Sequence, residues 1–268
     1  MPNDLHTPAE IPGIFDLIRF GTALYKERLK TVLVLLLIQI AAGVFFGAAI
    51  VASALSTIAF GVSGMLFVAL SVLAFIYGAL WLEVAFLRAF SDPVEFMTVR
   101  GLFARSRSQI FPFLWVSFLV LCAMLAAVAL VAAFGLVGAF LFGKGVVVEE
   151  VILGALIAIS ASVFIATRLV FANWIVVRDR ARGFAALHES MRLTRGIFWP
   201  VFGRFFGLSF IMGGLTFLLQ LFAVLLLGRY GSMLSQLISM LVFTPVFVAA
   251  TWVLYRSVAT ETPPDAQP

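Results

Sequence analysis

Charge is scarce in this chain: Asp, Glu, Lys and Arg make up 12% of its 268 residues, about half the share found in a soluble domain. Histidine occurs twice, at His6 and His188, and cysteine once, at Cys122. So few ligands, none paired at metal-binding spacing, exclude a His/Cys metal centre. A lone cysteine excludes an intramolecular disulfide and leaves the redox compartment unread. Within its apolar run, Cys122 reads as a small hydrophobe packed between helices. There is no strand–loop–helix glycine motif for phosphate, and the paired carboxylates that acid–base chemistry needs are few. The expectation is a protein that is not an enzyme and uses no cofactor or metal.

What is abundant is apolar side chain. The share is 63%, including 29 Phe. A single globular core cannot absorb so much, because surface grows with volume, whereas a bilayer can. A helix crosses the hydrocarbon with about 20 mostly apolar residues, and six segments qualify: Thr31–Ser53, Ser63–Phe86, Phe111–Phe134, Val151–Trp174, Pro200–Leu227 and Met233–Tyr255. The third run extends as far as Phe142, and Gly61 and Gly64 mark a turn between the first two. Barrel strands would alternate apolar and polar residues; runs such as Thr31–Ile38 do not. The fold class is therefore all-α: a polytopic membrane protein with six transmembrane helices in three hairpins. Residues 13–257 form one membrane domain. The polar, Pro-rich ends, 1–12 and 258–268, are expected to be disordered. Ala52-Ser53-Ala54 has the small-residue look of a cleavage site, but the long stretch before the first apolar run argues against a signal peptide.

The formal charge is +5, yet the basic residues are confined to certain loops and no basic run is interleaved with exposed aromatics. This excludes nucleic acid as a partner. Arg19, Lys26, Arg28 and Lys30 precede the first span. Arg88, Arg100, Arg105 and Arg107 lie between the second and third, and Arg178, Arg180, Arg182, Arg192 and Arg195 between the fourth and fifth. The other side holds only Lys144 and Arg229. By the positive-inside rule both termini are cytoplasmic. Trp174 and Trp199 fall at span boundaries on that side, where indole is favoured. Pro245 lies within the sixth span and is expected to kink it.

The three basic segments resemble one another. They open at Phe15, Phe96 and Phe184, place Arg19, Arg100 or His188 four residues on, and end in a basic cluster before an odd-numbered span. Each is amphipathic; in the third, Phe184, Leu187, Met191 and Phe198 keep helical spacing. The unit is an interfacial amphipathic helix on the cytoplasmic side followed by a transmembrane hairpin, occurring three times.

The stretch from Phe171 to Pro200 carries a pattern on Ala186, Leu187, Ser190, Leu193, Thr194, Arg195, Gly196 and Phe198. It resembles the membrane domain found ahead of some bacterial glycerophosphoryl diester phosphodiesterases, and its stand-alone relatives of unassigned function. The resemblance covers about 30 residues and implies a multi-pass module of the bacterial inner (plasma) membrane, working near lipid. It does not imply phosphodiesterase activity, because in the fused proteins the hydrolase is a separate soluble domain.

Ionisable groups within spans are costly, about 2.5–3.5 kcal/mol or more at the bilayer centre. Glu83, Arg168 and Arg204 are such groups, each one to two turns from the cytoplasmic boundary. One reading is a cytoplasm-facing polar pocket in which Glu83 pairs with Arg168 or Arg204 and Gln39 lies deeper. The other is that the arginines snorkel to headgroups and Glu83 caps a helix end. Gln220 and Gln236 are placed to bond across the last two spans. Gly43–Gly47 and Gly203–Gly207 have the spacing that lets helices approach closely, here expected within the monomer. Arg105, Arg107, Arg182, Arg192 and Arg195 are candidate contacts for anionic lipid headgroups.

Three functions follow. The first is a non-enzymatic protein that organises membrane lipids or a partner membrane protein at the cytoplasmic leaflet. The second is a small transporter or channel, with a hydrated cavity reaching Glu83, Arg168, Arg204 and Gln39. The third is a lipid enzyme, which needs Glu83 beside His188 or Asp179. Substrate and oligomeric state stay open.

Overall fold

The computed structural model describes residues 11–93, 98–142, 147–179 and 181–261. The expected tails at 1–10 and 262–268 lie outside the described residues, as does Phe96. The described residues fold into helices: α1 (Ile14–Glu27), α2 (Leu29–Phe60), α3 (Val62–Ser91), α4 (Val99–Ser106), α5 (Ile110–Phe142), α6 (Val147–Leu169), α7 (Ala172–Asp179), α8 (Phe184–Leu193), α9 (Phe198–Leu227), α10 (Arg229–Ile238) and α11 (Thr244–Glu261). Six stretches are long and apolar enough to cross a membrane: Leu29–Ser53, Gly64–Ser91, Val99–Ala126, Ile159–Arg178, Phe198–Leu227 and Arg229–Thr260. The chain is an all-α, multi-pass membrane protein.

Two tail boundaries differ from expectation. Ile11 is buried and α11 continues to Glu261, with Val258 fully buried, so the core reaches into both segments read as disordered and helix into the second. The turn between the first two spans is at Gly61, whose φ of 59° suits a residue without Cβ; Gly64 belongs to α3.

Two compact units divide the chain. One comprises residues 1–111 and 204–268, the other 112–203. In the first, α2 and α3 pack as an antiparallel pair, α4 lies against α3, and α1 docks on α11. Its core gathers at the arginine-bearing end of the helices: Leu17, Val32, Leu35, Leu36, Phe90, Leu102, Leu208, Leu254 and Tyr255 are fully buried there. Towards the other end the same helices expose large apolar side chains such as Val44, Phe45, Leu66, Phe67 and Leu226. That surface suits lipid, which costs apolar atoms nothing.

Three short helices precede the odd-numbered spans, as the basic segments suggest, and each buries one face against its own unit. On α1, Leu17, Gly21, Leu24 and Tyr25 turn inward while Phe15 and Phe20 are exposed. Gly21 sits so close to α11 that a Cβ there would lie 2.8 Å from the Ala250 backbone nitrogen. On α8 the buried face is Ala186, Leu187, Ser190 and Leu193, whereas Phe184 and Met191 point outward. The apolar face expected from helical spacing is thus split. Small and hydroxylated residues fit the close approach, and the bulkier ones are left on the surface.

In the second unit the apolar stretch expected as one span through Trp174 is broken. The chain turns at Val170–Phe171 and restarts as α7. Trp174 is then 4% exposed, packed inside rather than placed at a boundary. Trp199 is 74% exposed, as a boundary indole should be.

The sixth span is interrupted where Pro245 demands it. Pro245 has no N–H to give the Leu241 carbonyl four residues earlier, and the helix widens into a π-turn at Ser239–Phe243, with the Thr244 N–H reaching back to the Ser239 carbonyl. The Tyr25 hydroxyl of α1 donates to the Leu241 carbonyl at 2.7 Å. One helix thereby supplies the donor that another lacks.

Only the neutral phenol can make that bond, and burial raises the Tyr25 pKa above its ordinary value of about 10. Its contribution is therefore complete below about pH 10 and lost as the pH rises through the folded-state value. Tyr25→Phe should lower stability by about 1–2 kcal/mol at neutral pH and flatten part of the alkaline decline. Thermal unfolding in detergent across pH 7–11, against the unmodified chain, checks both; equal curves would refute the assignment.

Candidate functional site

The arginine-bearing end of the first unit is built around the C-terminus of α3. The last carbonyls of a helix have no intrahelical donor and attract cations. Arg28, between α1 and α2, meets both needs: its Nη1 donates to the Ala89 carbonyl at 2.6 Å and the Asp92 carbonyl at 2.9 Å. It is 5% exposed. Burial pushes its pKa down; Glu27 and Asp92 oppose the shift and Arg256 adds to it. Arg88, also buried, donates from Nε to Gln109 at 3.0 Å and pairs with Asp92 at 3.2 Å. Arg105 reaches the same carboxylate at 3.6 Å. Asp92 thus serves as counterion to two arginines, and Trp81 fastens α4 by donating to the Phe103 carbonyl at 2.9 Å.

Arg204 lies half-buried in α9. Its Nε donates to the Pro12 carbonyl at 2.8 Å and its Nη2 to the Ile11 carbonyl at 2.6 Å, holding the entry to α1. One of the two readings of the sequence pairs Arg204 or Arg168 with Glu83; the Arg204 fork finds backbone oxygens, acceptors that no sequence pattern displays. Glu83 is exposed on α3 and makes no ion pair or hydrogen bond among the described residues. Gln39 is exposed on α2. The antiparallel register is fixed by Arg28 at the Ala89 and Asp92 carbonyls and by Ser53 Oγ, 3.1 Å from Ser71 Oγ. Interpolated between these points, Gln39 falls level with the two turns of α3 at 78–85, which include Glu83. Of the expected pocket, then, Gln39 and Glu83 come to one level of one hairpin, and Arg204 is committed elsewhere.

In the second unit Arg168 ends α6. Its guanidinium stacks 5.3 Å from the ring centroids of both Phe164 and Phe198, a favourable place for a cation. The Arg168 carbonyl, freed by the break before α7, accepts from the buried Ser190 Oγ at 2.8 Å. Thr194 Oγ1 donates in turn to the Ser190 and Met191 carbonyls. This gives a physical reason for the pattern on Ala186, Leu187, Ser190, Leu193 and Thr194: these residues are the buried face and the capping hydroxyls that dock α8.

Of the candidate headgroup contacts, Arg105, Arg107, Arg182 and Arg195 are exposed. Arg192 is held in a two-pronged pair with Glu189, at 2.8 and 2.7 Å, which offsets its charge. His188 is exposed on α8. Among the described residues no group of His, Cys, Asp and Glu is placed to hold a metal ion. Gln220 and Gln236 are both exposed and, among the described residues, not bonded to each other. The expectation that the small-residue pairs pack within the monomer holds at one position only. Gly207 abuts Ile14, whereas a Cβ at Gly43, Gly47 or Gly203 would meet nothing within 4 Å. Tyr25, Arg28 and Ser190 have packing roles that sequence reasoning did not assign, Arg28 being counted there only among the basic residues before the first span. Only Ser190 carried a signal, through its place in the Phe171–Pro200 pattern.

Removing Arg28 should strand two carbonyls at the end of α3. Arg28→Leu is expected to cost about 2–4 kcal/mol, and Arg28→Lys to recover part of that. Unfolding of the two variants side by side checks the order, and a neutral Arg28→Leu would sink it. Comparison with protein-family models, with curated proteins and with solved structures returns no match for this chain.

Proposed function

We propose that this protein organises anionic lipid, or a partner protein, at the cytoplasmic leaflet of a bacterial inner membrane, without catalysing a reaction. The observation that carries the reading is the pairing of exposed cations with exposed bulky side chains on the short helices and their flanks. Arg182 and Arg195 are exposed along with Phe184, Met191 and Trp199 in the second unit; Arg105 in the last turn of α4 and Arg107 just after it are exposed in the first. Apolar groups that dip among acyl chains next to arginines that meet phosphates are what headgroup binding requires. The concentration of Lys and Arg on these segments supports placing them, and both termini, in the cytoplasm. The likeness of Phe171–Pro200 to the membrane domain of bacterial phosphodiesterases belongs to the same proposal.

Each arginine near an anionic surface contributes about 1 kcal/mol. Arg182→Ser with Arg195→Ser is therefore expected to lower retention of phosphatidylglycerol about twentyfold or more, measured by native mass spectrometry of the protein released from defined nanodiscs. Retention of phosphatidylcholine should not change. Loss of both lipids equally would point to damaged packing and count against the reading.

The level placement of Gln39 and Glu83 favours a second reading, a transporter with a hydrated cavity. Single cysteines at positions 39, 83, 168 and 204 in a Cys122→Ala background separate the two. Protection from a membrane-impermeant thiol reagent at 39 and 83 is expected if lipid organisation is the function; labelling at all four would establish the cavity.

A further inference from the structure

Glu83 and Gln39 pose a problem that lipid does not solve. They lie about 12 Å along α3 from Ser91 and about 15 Å along α2 from Leu29, at 1.5 Å per residue. Both are exposed, and neither has a hydrogen-bond partner among the described residues. Their surroundings are apolar: Ile76 and Ala79 share the exposed side of α3 with Glu83, and Val44 and Phe45 are exposed on α2. A polar group left facing hydrocarbon is costly enough to imply a partner.

From this surface we infer that the α2–α3 hairpin is the docking face for a second copy of the same chain. The argument is complementarity at matched depth. A second copy inserted with the same topology carries its own Gln39 and Glu83 at the same level, so a twofold axis along the membrane normal sets each residue opposite its complement. The Gln39 amide donates to the partner subunit's Glu83, and the partner subunit's Gln39 donates to Glu83. The match holds for either charge state of the carboxyl: ionised, it accepts from the amide N–H; protonated, it donates to the amide oxygen. No cation is needed, and Arg204, at a similar depth in the same unit, is occupied by the Ile11 and Pro12 carbonyls. A second feature of the same face agrees. Gly43 and Gly47 follow Gln39 at intervals of four on α2 and are exposed, and among the described residues a Cβ at either would meet nothing within 4 Å. They leave room for a neighbouring helix to come close beside the polar pair.

This inference is independent of lipid binding at the arginines. It is tested with the full chain, carrying Cys122→Ser, in lipid vesicles. Oxidative cross-linking of Gly43→Cys and, separately, of Val44→Cys should yield covalent dimers. Leu125→Cys and Phe217→Cys, equally exposed on other helices, should not. Single-molecule photobleaching over a range of dilutions should show a dimer whose dissociation constant rises about tenfold or more when Gln39→Leu and Glu83→Leu are combined. Glu83→Gln keeps a donor and an acceptor and should stay within about threefold of the unmodified chain. A monomer at all dilutions, cross-linking that ignores position, or a dimer indifferent to the double substitution would each overturn the proposal. So would a Glu83→Gln variant as weak as the combined leucine variant, since that would mark the occupant as a cation, which a second copy does not offer. Helix content by circular dichroism, unchanged in every variant, keeps these outcomes distinct from misfolding.

Discussion

A backbone carbonyl inside a bilayer has no water to turn to when its helical donor is missing. Among the described residues, four openings in the regular ladder are each answered by a side chain from elsewhere. Pro245 strands the Leu241 carbonyl, and Tyr25 supplies the hydroxyl. The end of α3 leaves Ala89 open, and Arg28 caps it. The break after α6 frees the Arg168 carbonyl, and Ser190 takes it. The non-helical entry to α1 exposes Ile11 and Pro12, and Arg204 gathers both. Each bond joins elements far apart in sequence, so the repairs to the backbone are also the ties that hold each unit together.

This changes the meaning of the polar residues. Arginine has five donors and no acceptor, so within apolar surroundings it seeks oxygens, and backbone oxygens are the most plentiful. Arg28 and Arg204 are better described as covalently attached capping groups than as charges awaiting counterions. Where a carboxylate is present, as at Asp92, it is shared between Arg88 and Arg105. Glu83 stands apart because it has acceptors to offer when ionised and no donor reaches it among the described residues.

Hydropathy displayed the six spans and helical periodicity displayed the short helices, because both depend on side-chain type at local spacing. The turn at Gly61 and the interruption near Pro245 were legible for the same reason: each follows from one residue's backbone chemistry. What was not legible involved partners. Tyr25 lies 216 positions from the carbonyl it serves, and an acceptor that every residue possesses leaves no mark in a sequence. Periodicity also misjudged α8, where Phe184 and Met191 were grouped with Leu187. Hydrophobicity predicts which side chains avoid water, but in a membrane protein avoiding water is not the same as being buried. Close packing selected Ala186 and Ser190 for the inside because they are small.

The near-contact of Gly21 with Ala250 also bears on biosynthesis. It joins α1 to α11, the end of the sixth candidate span, so the first unit cannot close before that span has been made. During translation α1 must wait, its inner face of Leu17, Leu24 and Tyr25 uncovered, until α11 has left the ribosome and entered the bilayer. An amphipathic helix is suited to that delay, since it can rest at the membrane surface in the interval. The interfacial helix suggested by the amino-acid pattern of α1 then describes an earlier stage in the life of the same helix, and the docked element describes its end.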